Sequence, residues 1–144
     1  MKAGVSDRLV IDASVTISWC FEDETSKYSD FILDYVRANT ALVPSLWLSE
    51  LTNGLLTAIK KKRLDFDGSL AFLEKISRLP IRIATLSSRE YFTNVFQLAT
   101  NHHLTTYDAT YLYLAIKEKA PLATNDSDLK LASRNKKLPK LAAK

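Results

Sequence analysis

Asp12, Glu50, Asp108 and Asp126 are the residues whose type and surroundings could do chemistry. Asp12 follows Leu9-Val10-Ile11, Asp126 follows Pro121-Leu122-Ala123-Thr124, and Asp108 opens the helical run from Ala109 to Ile116. In an open α/β sheet, functional groups collect outside the carboxyl ends of the strands, so acids at such positions converge on one cleft. Carboxylates crowded together without a cation repel and raise one another's pKa. A hard divalent cation relieves that cost, and oxygen-only ligands point to Mg²⁺ or Mn²⁺ rather than zinc. The chemistry implied is metal-dependent work on phosphates.

Each acid also has a plainer explanation. Asp12, Asp108 and Asp126 all stand at the expected start of a helix, where aspartate commonly accepts from the first free backbone N–H groups. Asp128, two residues beyond Asp126, is an auxiliary candidate for either role. Glu50 is different, because it lies inside a helix entered at Pro44, where no cap is needed. At 100° per residue, Leu48, Leu51, Leu55 and Ile59 share one face of that helix. Glu50 then falls at the edge of the face beside Asn53, Gly54 and Thr57. The alternative for Glu50 is a side chain that reaches out to water.

These positions need elements to hold them. Arg8 to Ile11 is a short apolar run without alternation, as expected of a buried parallel strand. Ala13 to Phe21 and Thr25 to Arg37 read as helices, Ala41 to Val43 as a strand, and Pro44 to about Lys62 as a long helix. Asp65 or Asp67 caps a helix through Phe72 and Ile76 that stops near Pro80. Ile81 to Leu86 is a third strand. Ser87 or Ser88, with Glu90 behind, opens a helix to about Asn101. A helix from Asp108 to Lys119, a strand from Pro121 to Thr124 and a helix from Ser127 to Arg134 follow. A fifth strand near the C-terminus is only faintly signalled. Strands alternating with helices predict a three-layer α/β/α sandwich around a central parallel sheet of four or five strands.

The 144 residues fit one domain, 1–144, and only 3 glycines and 4 prolines argue against disorder or a turn-rich all-β fold. One cysteine, Cys20, excludes an internal disulfide and a thiolate zinc site, and its neighbours Trp19 and Phe21 suggest a buried thiol. No apolar run is long enough to span a membrane and no signal peptide is seen, which predicts a soluble cytoplasmic protein. The net charge of +4 is mild, but it is clustered at Lys60 to Arg63 and again from Lys130 to Lys144. Basic patches around an acidic cleft suit a polyanion, while lysines at solvated helix ends explain each patch alone.

Four segments, taken in order, carry a family resemblance: Leu9-Val10-Ile11-Asp12-Ala13-Ser14, the stretch from Pro44 to Asn53 around Glu50, Thr106-Tyr107-Asp108-Ala109, and Leu122-Ala123-Thr124-Asn125-Asp126. The set resembles the PIN-domain family and, more narrowly, the VapC-type toxins of toxin–antitoxin systems, over nearly the whole chain. The resemblance implies an acidic quartet, Asp12, Glu50, Asp108 and Asp126, in a Mg²⁺-dependent endoribonuclease. It implies that Ser14, Asn53 and Thr124 orient those carboxylates, and that RNA such as transfer RNA is the substrate. It also implies a cognate antitoxin and a homodimer, for which Tyr28, Phe31 and Tyr35 are candidate interface residues or simply core. His102 and His103, the only histidines, suggest metal-free acid–base catalysis, but their place at a helix end favours a structural role. A receiver domain lacks its acceptor aspartate after Ile81 to Leu86. A haloacid-dehalogenase-type phosphatase lacks a second aspartate where Ser14 stands.

Overall fold

The alternation of apolar runs with amphipathic segments produces the elements it implies. The computed structural model describes residues 7–141. In it, β1 (Arg8–Ile11) leads to α1 (Ala13–Ser18), a 3-10 turn at Glu22–Glu24, and α2 (Lys27–Ala38). Then come β2 (Thr40–Val43), α3 (Leu46–Lys60), α4 (Phe66–Ser77) and β3 (Ile81–Ile83). α5 (Ser88–Glu90) passes through a π-helical turn at Tyr91–Val95 into α6 (Phe96–His102). α7 (Thr106–Glu118), β4 (Leu122–Ala123) and α8 (Ser127–Asn135) follow.

The strands form one parallel sheet in the order β3-β2-β1-β4, flanked by helices in an α/β/α sandwich. Leu9 pairs with Ala41, and Val10 pairs with both Leu42 and Leu122. Leu9, Val10, Ile11 and Val43 are fully buried because helices cover the sheet. Full burial of such a side chain is worth roughly 1.5–3 kcal/mol, so this centre contributes much of the stability. The chain moves outward from β1 to β3 and then returns to β4 on the other side of β1. That reversal makes the β1/β4 junction the switch point, with a crevice beyond its carboxyl ends.

Local chemistry explains where elements begin and end. Asp65, not Asp67, caps α4 by accepting from Gly68 N at 2.7 Å. Ser87 and Glu90 form the expected capping box. α1 stops at Ser18 instead of reaching Phe21, since the Trp19 indole donates to the Ser29 carbonyl at 2.9 Å and Phe21 is extended. β3 ends at Ile83, short of Leu86, because its partner β2 ends at Val43 and the chain then turns into α3, leaving no strand to pair with beyond the bond from Ala84 N to the Val43 carbonyl. No fifth strand occurs among the described residues: Lys137 takes a left-handed conformation at φ 52° and Pro139 follows.

α3 is rotated from its expected orientation. Its buried face is Trp47, Leu51, Leu55 and Ala58, while Leu48 is 48% exposed. The Trp47 indole donates to Thr16 Oγ1 at 3.0 Å, which ties α3 to α1 and turns Leu48 outward. Gly54 lets the two helices approach, because a Cβ there would collide with the Ile17 side chain. Tyr28, Phe31 and Tyr35 are half-buried and pack against the core.

Candidate functional site

The ends of β1 and β4 and the inner faces of α3 and α7 meet at the switch point. They enclose a cleft of about 390 Å³ whose lining includes Asp12, Glu50, Asp108 and Asp126. All four predicted acids therefore reach one place, although they come from four separate elements.

Asp12 is the most constrained. It is 5% exposed, and its Oδ1 accepts from Ser14 Oγ at 2.6 Å and from Val15 N at 3.1 Å. Its Oδ2 accepts from the Thr124 hydroxyl. The Val15 bond is an N-cap, so the capping role and the cleft position coexist in one residue. Burial pushes the Asp12 carboxyl above the usual carboxylate range, against the lowering effect of those three hydrogen bonds. Asp126 is the same kind of hybrid. Its Oδ2 caps α8 by accepting from Leu129 N at 2.8 Å, and its backbone N–H donates to Thr124 Oγ1 at 3.0 Å.

Asp108 does not open its helix. Thr105 caps α7, accepting from Asp108 N at 3.1 Å, so Asp108 stands in the first turn with its carboxyl free of capping duty. Its carboxyl is pushed up to about 6, first by partial burial and then by the negative charges of Asp126, Asp12, Glu50 and Asp128. Here the mutual repulsion expected of crowded acids becomes visible at a named side chain.

Glu50 is half-buried on α3 and does not escape to water. Tyr111, one α7 turn after Asp108, donates its hydroxyl to Glu50 Oε1 at 2.5 Å. Burial, and then this bond to Glu50, raise the Tyr111 phenol above its ordinary range, so it remains a donor. Tyr111 was missed by sequence reasoning. Its i+3 spacing from Asp108 places both on one helix face, and that spacing was the available signal.

Of the supporting residues, Thr124 bonds both Asp12 and Asp126, and Ser14 bonds Asp12 while accepting from Asn125 N at 3.2 Å. Asn53 lines the cleft. Asp128 is exposed outside the lining, yet its charge still acts on Asp108. His102 and His103 end α6 and lie outside the cleft lining. Cys20 is half-buried, and burial raises its thiol pKa, which disfavours the reactive thiolate.

A parallel α/β sandwich with a carboxylate cleft at its switch point is an architecture suited to chemistry on phosphate esters. The PIN domain family model matches residues 9–135, and the chain belongs to the PIN-domain family. PIN is generally a nuclease fold, typically metal-dependent. The crystal structure of PAE2754 from Pyrobaculum aerophilum is similar, with a TM-score of 0.67 at 22% identity. The match covers 90% of this chain and 83% of that one, and it supports the fold. No curated protein matches the chain. No helix among the described residues is long and apolar enough to cross a membrane.

Proposed function

We propose that the protein is a metal-dependent endoribonuclease whose catalytic groups are Asp12, Glu50, Asp108 and Asp126. The observation that supports it best is the convergence of these acids on one cleft, with the Asp108 carboxyl raised to about 6 by the others and by burial. Such a cleft is electrostatically incomplete without a cation.

The donor set fits Mg²⁺ or Mn²⁺, since every candidate ligand is a hard carboxylate oxygen. Among the described residues no three His, Cys, Asp or Glu side chains close on a single point. Mg²⁺ tolerates this, because it keeps several waters and binds through one or two carboxylates. Asp12 and Asp108 would hold the ion, with Glu50 and Asp126 flanking it. When bound, the ion lowers the pKa of water for in-line attack and offsets charge developing on the phosphoryl oxygens.

The chain's own residues prepare this chemistry. Ser14 and Thr124 fix both oxygens of Asp12, so its orientation is set before any ligand arrives. Tyr111 holds Glu50 toward the cleft at no cost in charge. The α8 cap holds Asp126, leaving Oδ1 without a protein partner among the described residues. These carboxylates would also repel a phosphate in the absence of metal, which ties entry of the scissile phosphate into the cleft to metal loading.

The ordered motifs support a narrower reading: the toxin of a toxin–antitoxin pair, a homodimer that cuts transfer RNA or another structured RNA. Its antitoxin would place an arginine or lysine among the four carboxylates in place of the metal. Cleavage of total transfer RNA by purified protein tests the enzyme. Cutting is expected with Mg²⁺ or Mn²⁺, and neither with EDTA nor with Asp12→Asn. Absence of cutting by folded, inhibitor-free wild type, or equal cutting by Asp12→Asn, overturns the reading. The toxin role predicts growth arrest on induction, relieved by the antitoxin, and light scattering checks the dimer.

A further inference from the structure

Most cations of both basic clusters have no ion pair among the described residues, but the two clusters sit in different surroundings. In the first, Arg63 is already committed: it bonds Glu24 at 2.7 Å and Asp23 at 3.1 Å, and its guanidinium lies 4.2 Å from the Phe21 ring centroid. In the second, Lys130, Arg134, Lys137 and Lys140 line a groove of about 900 Å³ beside the edge strand β4. Among the described residues no acidic side chain lines this groove and none of these four cations is ion-paired. The groove floor is apolar, with Phe31 and Leu122 exposed to it.

The groove and the acidic cleft share α8, whose N-cap Asp126 lines the cleft and whose Lys130 and Arg134 line the groove. Lys130 Nζ sits 5.0 Å from the Tyr28 ring centroid, and the Thr124 side chain, which follows β4, holds Asp12. α8 starts at the Asp126 cap and then carries Lys130 and Arg134 about 6 and 12 Å further along its axis, from the helical rise. A row of unneutralised cations thus leads away from a cleft lined by acids.

We propose that this groove docks the phosphates of the single-stranded RNA flanking the bond that is cut, an inference that rests on the nuclease reading above. Lys130, Arg134, Lys137 and Lys140 hold the backbone, and the apolar floor beside Phe31 accepts unstacked bases. An acidic peptide satisfies the cations equally well but has no use for a path that ends among four carboxylates. RNA does, because its scissile phosphate must reach them.

The test measures binding apart from cleavage. Fluorescence anisotropy of a short unstructured oligoribonucleotide is recorded in EDTA across a salt series. Wild type is compared with Arg134→Gln/Lys137→Gln, and with Lys60→Gln/Lys61→Gln as a basic-patch control. The groove variant is expected to bind roughly tenfold more weakly, with a log–log salt slope shallower by about 1.4, the value for two lost contacts to a single strand. At saturating RNA with metal its kcat should hold while KM rises. The control should match wild type, and thermal melts verify that all the variants fold. Unchanged affinity in the groove variant overturns the proposal, as does displacement of RNA by polyglutamate as readily as by competitor RNA. If affinity is unchanged while metal-dependent cutting persists, the groove fails and the nuclease stands. If groove-dependent binding is seen but no condition gives cutting, the groove site stands and the nuclease reading fails.

Discussion

The acidic cleft and the basic groove share α8, yet they are built on opposite physical principles. In the cleft three of the four acids are constrained: Asp12 by three hydrogen bonds, Glu50 by Tyr111, and Asp126 by the helix it caps. The groove instead presents long side chains, mostly exposed, with no carboxylate partners among the described residues. Held, partly desolvated charges serve an event that depends on angle and distance. Mobile solvated charges serve attraction, which depends mainly on number. The difference predicts a division of labour in which the cleft sets rate and the groove sets affinity.

Asp12→Asn is the strongest way to break that division. Its turnover at saturating RNA should fall by about 10²–10³ or more, the scale seen when a preorganised electrostatic group is removed. RNA affinity in EDTA should stay near that of wild type. The metal-free fold should change little in stability, because the amide removes a charge that folding disfavours but also removes the acceptor of the Thr124 hydroxyl. An amide keeps the Val15 and Ser14 bonds and removes the buried charge. Loss of affinity with little loss of turnover would reverse the roles of the two regions. Thr124→Val should act next most strongly, since it deprives Asp12 Oδ2 of a donor and Asp126 N–H of its acceptor. A drop in activity of about 10–100-fold is expected, with a loss of roughly 1–3 kcal/mol in denaturant melts.

The pH dependence of the metal-free protein sharpens the same point. The Asp108 carboxyl is at about 6 in the fold, above its ordinary value of 3.8, so the native state holds that proton more tightly than the unfolded chain. The associated stability is present below about pH 4 and is lost as pH rises through about 6. Asp108 is partly exposed, and solvent screening reduces the effect to about 1 kcal/mol, or roughly 3 °C in melting temperature. Scanning calorimetry should show this decline in EDTA, Asp108→Asn should flatten it, and Mg²⁺ should reverse it near neutrality. Glu90 acts in the other direction and lower on the scale. Its hydrogen bond from Lys117, followed by those from Ser87 and Tyr113, holds it at about 2, so its contribution is lost only as pH falls from about 4.5.

Much of this architecture was legible in the sequence because strand burial and helix caps are local properties. Leu9-Val10-Ile11 and Ala41-Leu42-Val43 have no polar interruption, and Ser87 with Glu90 is a complete capping signal within four residues. The four acids were legible for a related reason, since three stand where apolar runs begin or end. What stayed hidden depends on partners distant in sequence. The rotation of α3 was decided by the Trp47–Thr16 bond and the close packing of Gly54 on Ile17, neither of which periodicity can reveal. Tyr111 looked like one more apolar-helix residue until Glu50 arrived from 61 positions away. The two basic clusters looked alike until Arg63 of the first was found paired with Asp23 and Glu24, while Lys130, Arg134, Lys137 and Lys140 of the second line a groove with no carboxylate partner among the described residues.

The smallest effect should come from a residue outside both regions. His103 ends α6 in the left-handed conformation at φ 55°, and the backbone N–H groups of His103 and Leu104 both bond the Ala99 carbonyl. That is the position glycine favours, because a Cβ is strained there and glycine is not. His103→Gly should therefore stabilise the fold by about 0.5–1 kcal/mol, the relief of that strain less glycine's entropic penalty. Cleavage and RNA affinity should both remain at wild-type values, since the imidazole reaches neither the cleft nor the groove. A catalytic histidine would give the opposite pattern, with a more stable protein that no longer cuts. That result would move acid–base work from the carboxylates to α6, and the division between cleft and groove would no longer describe the protein.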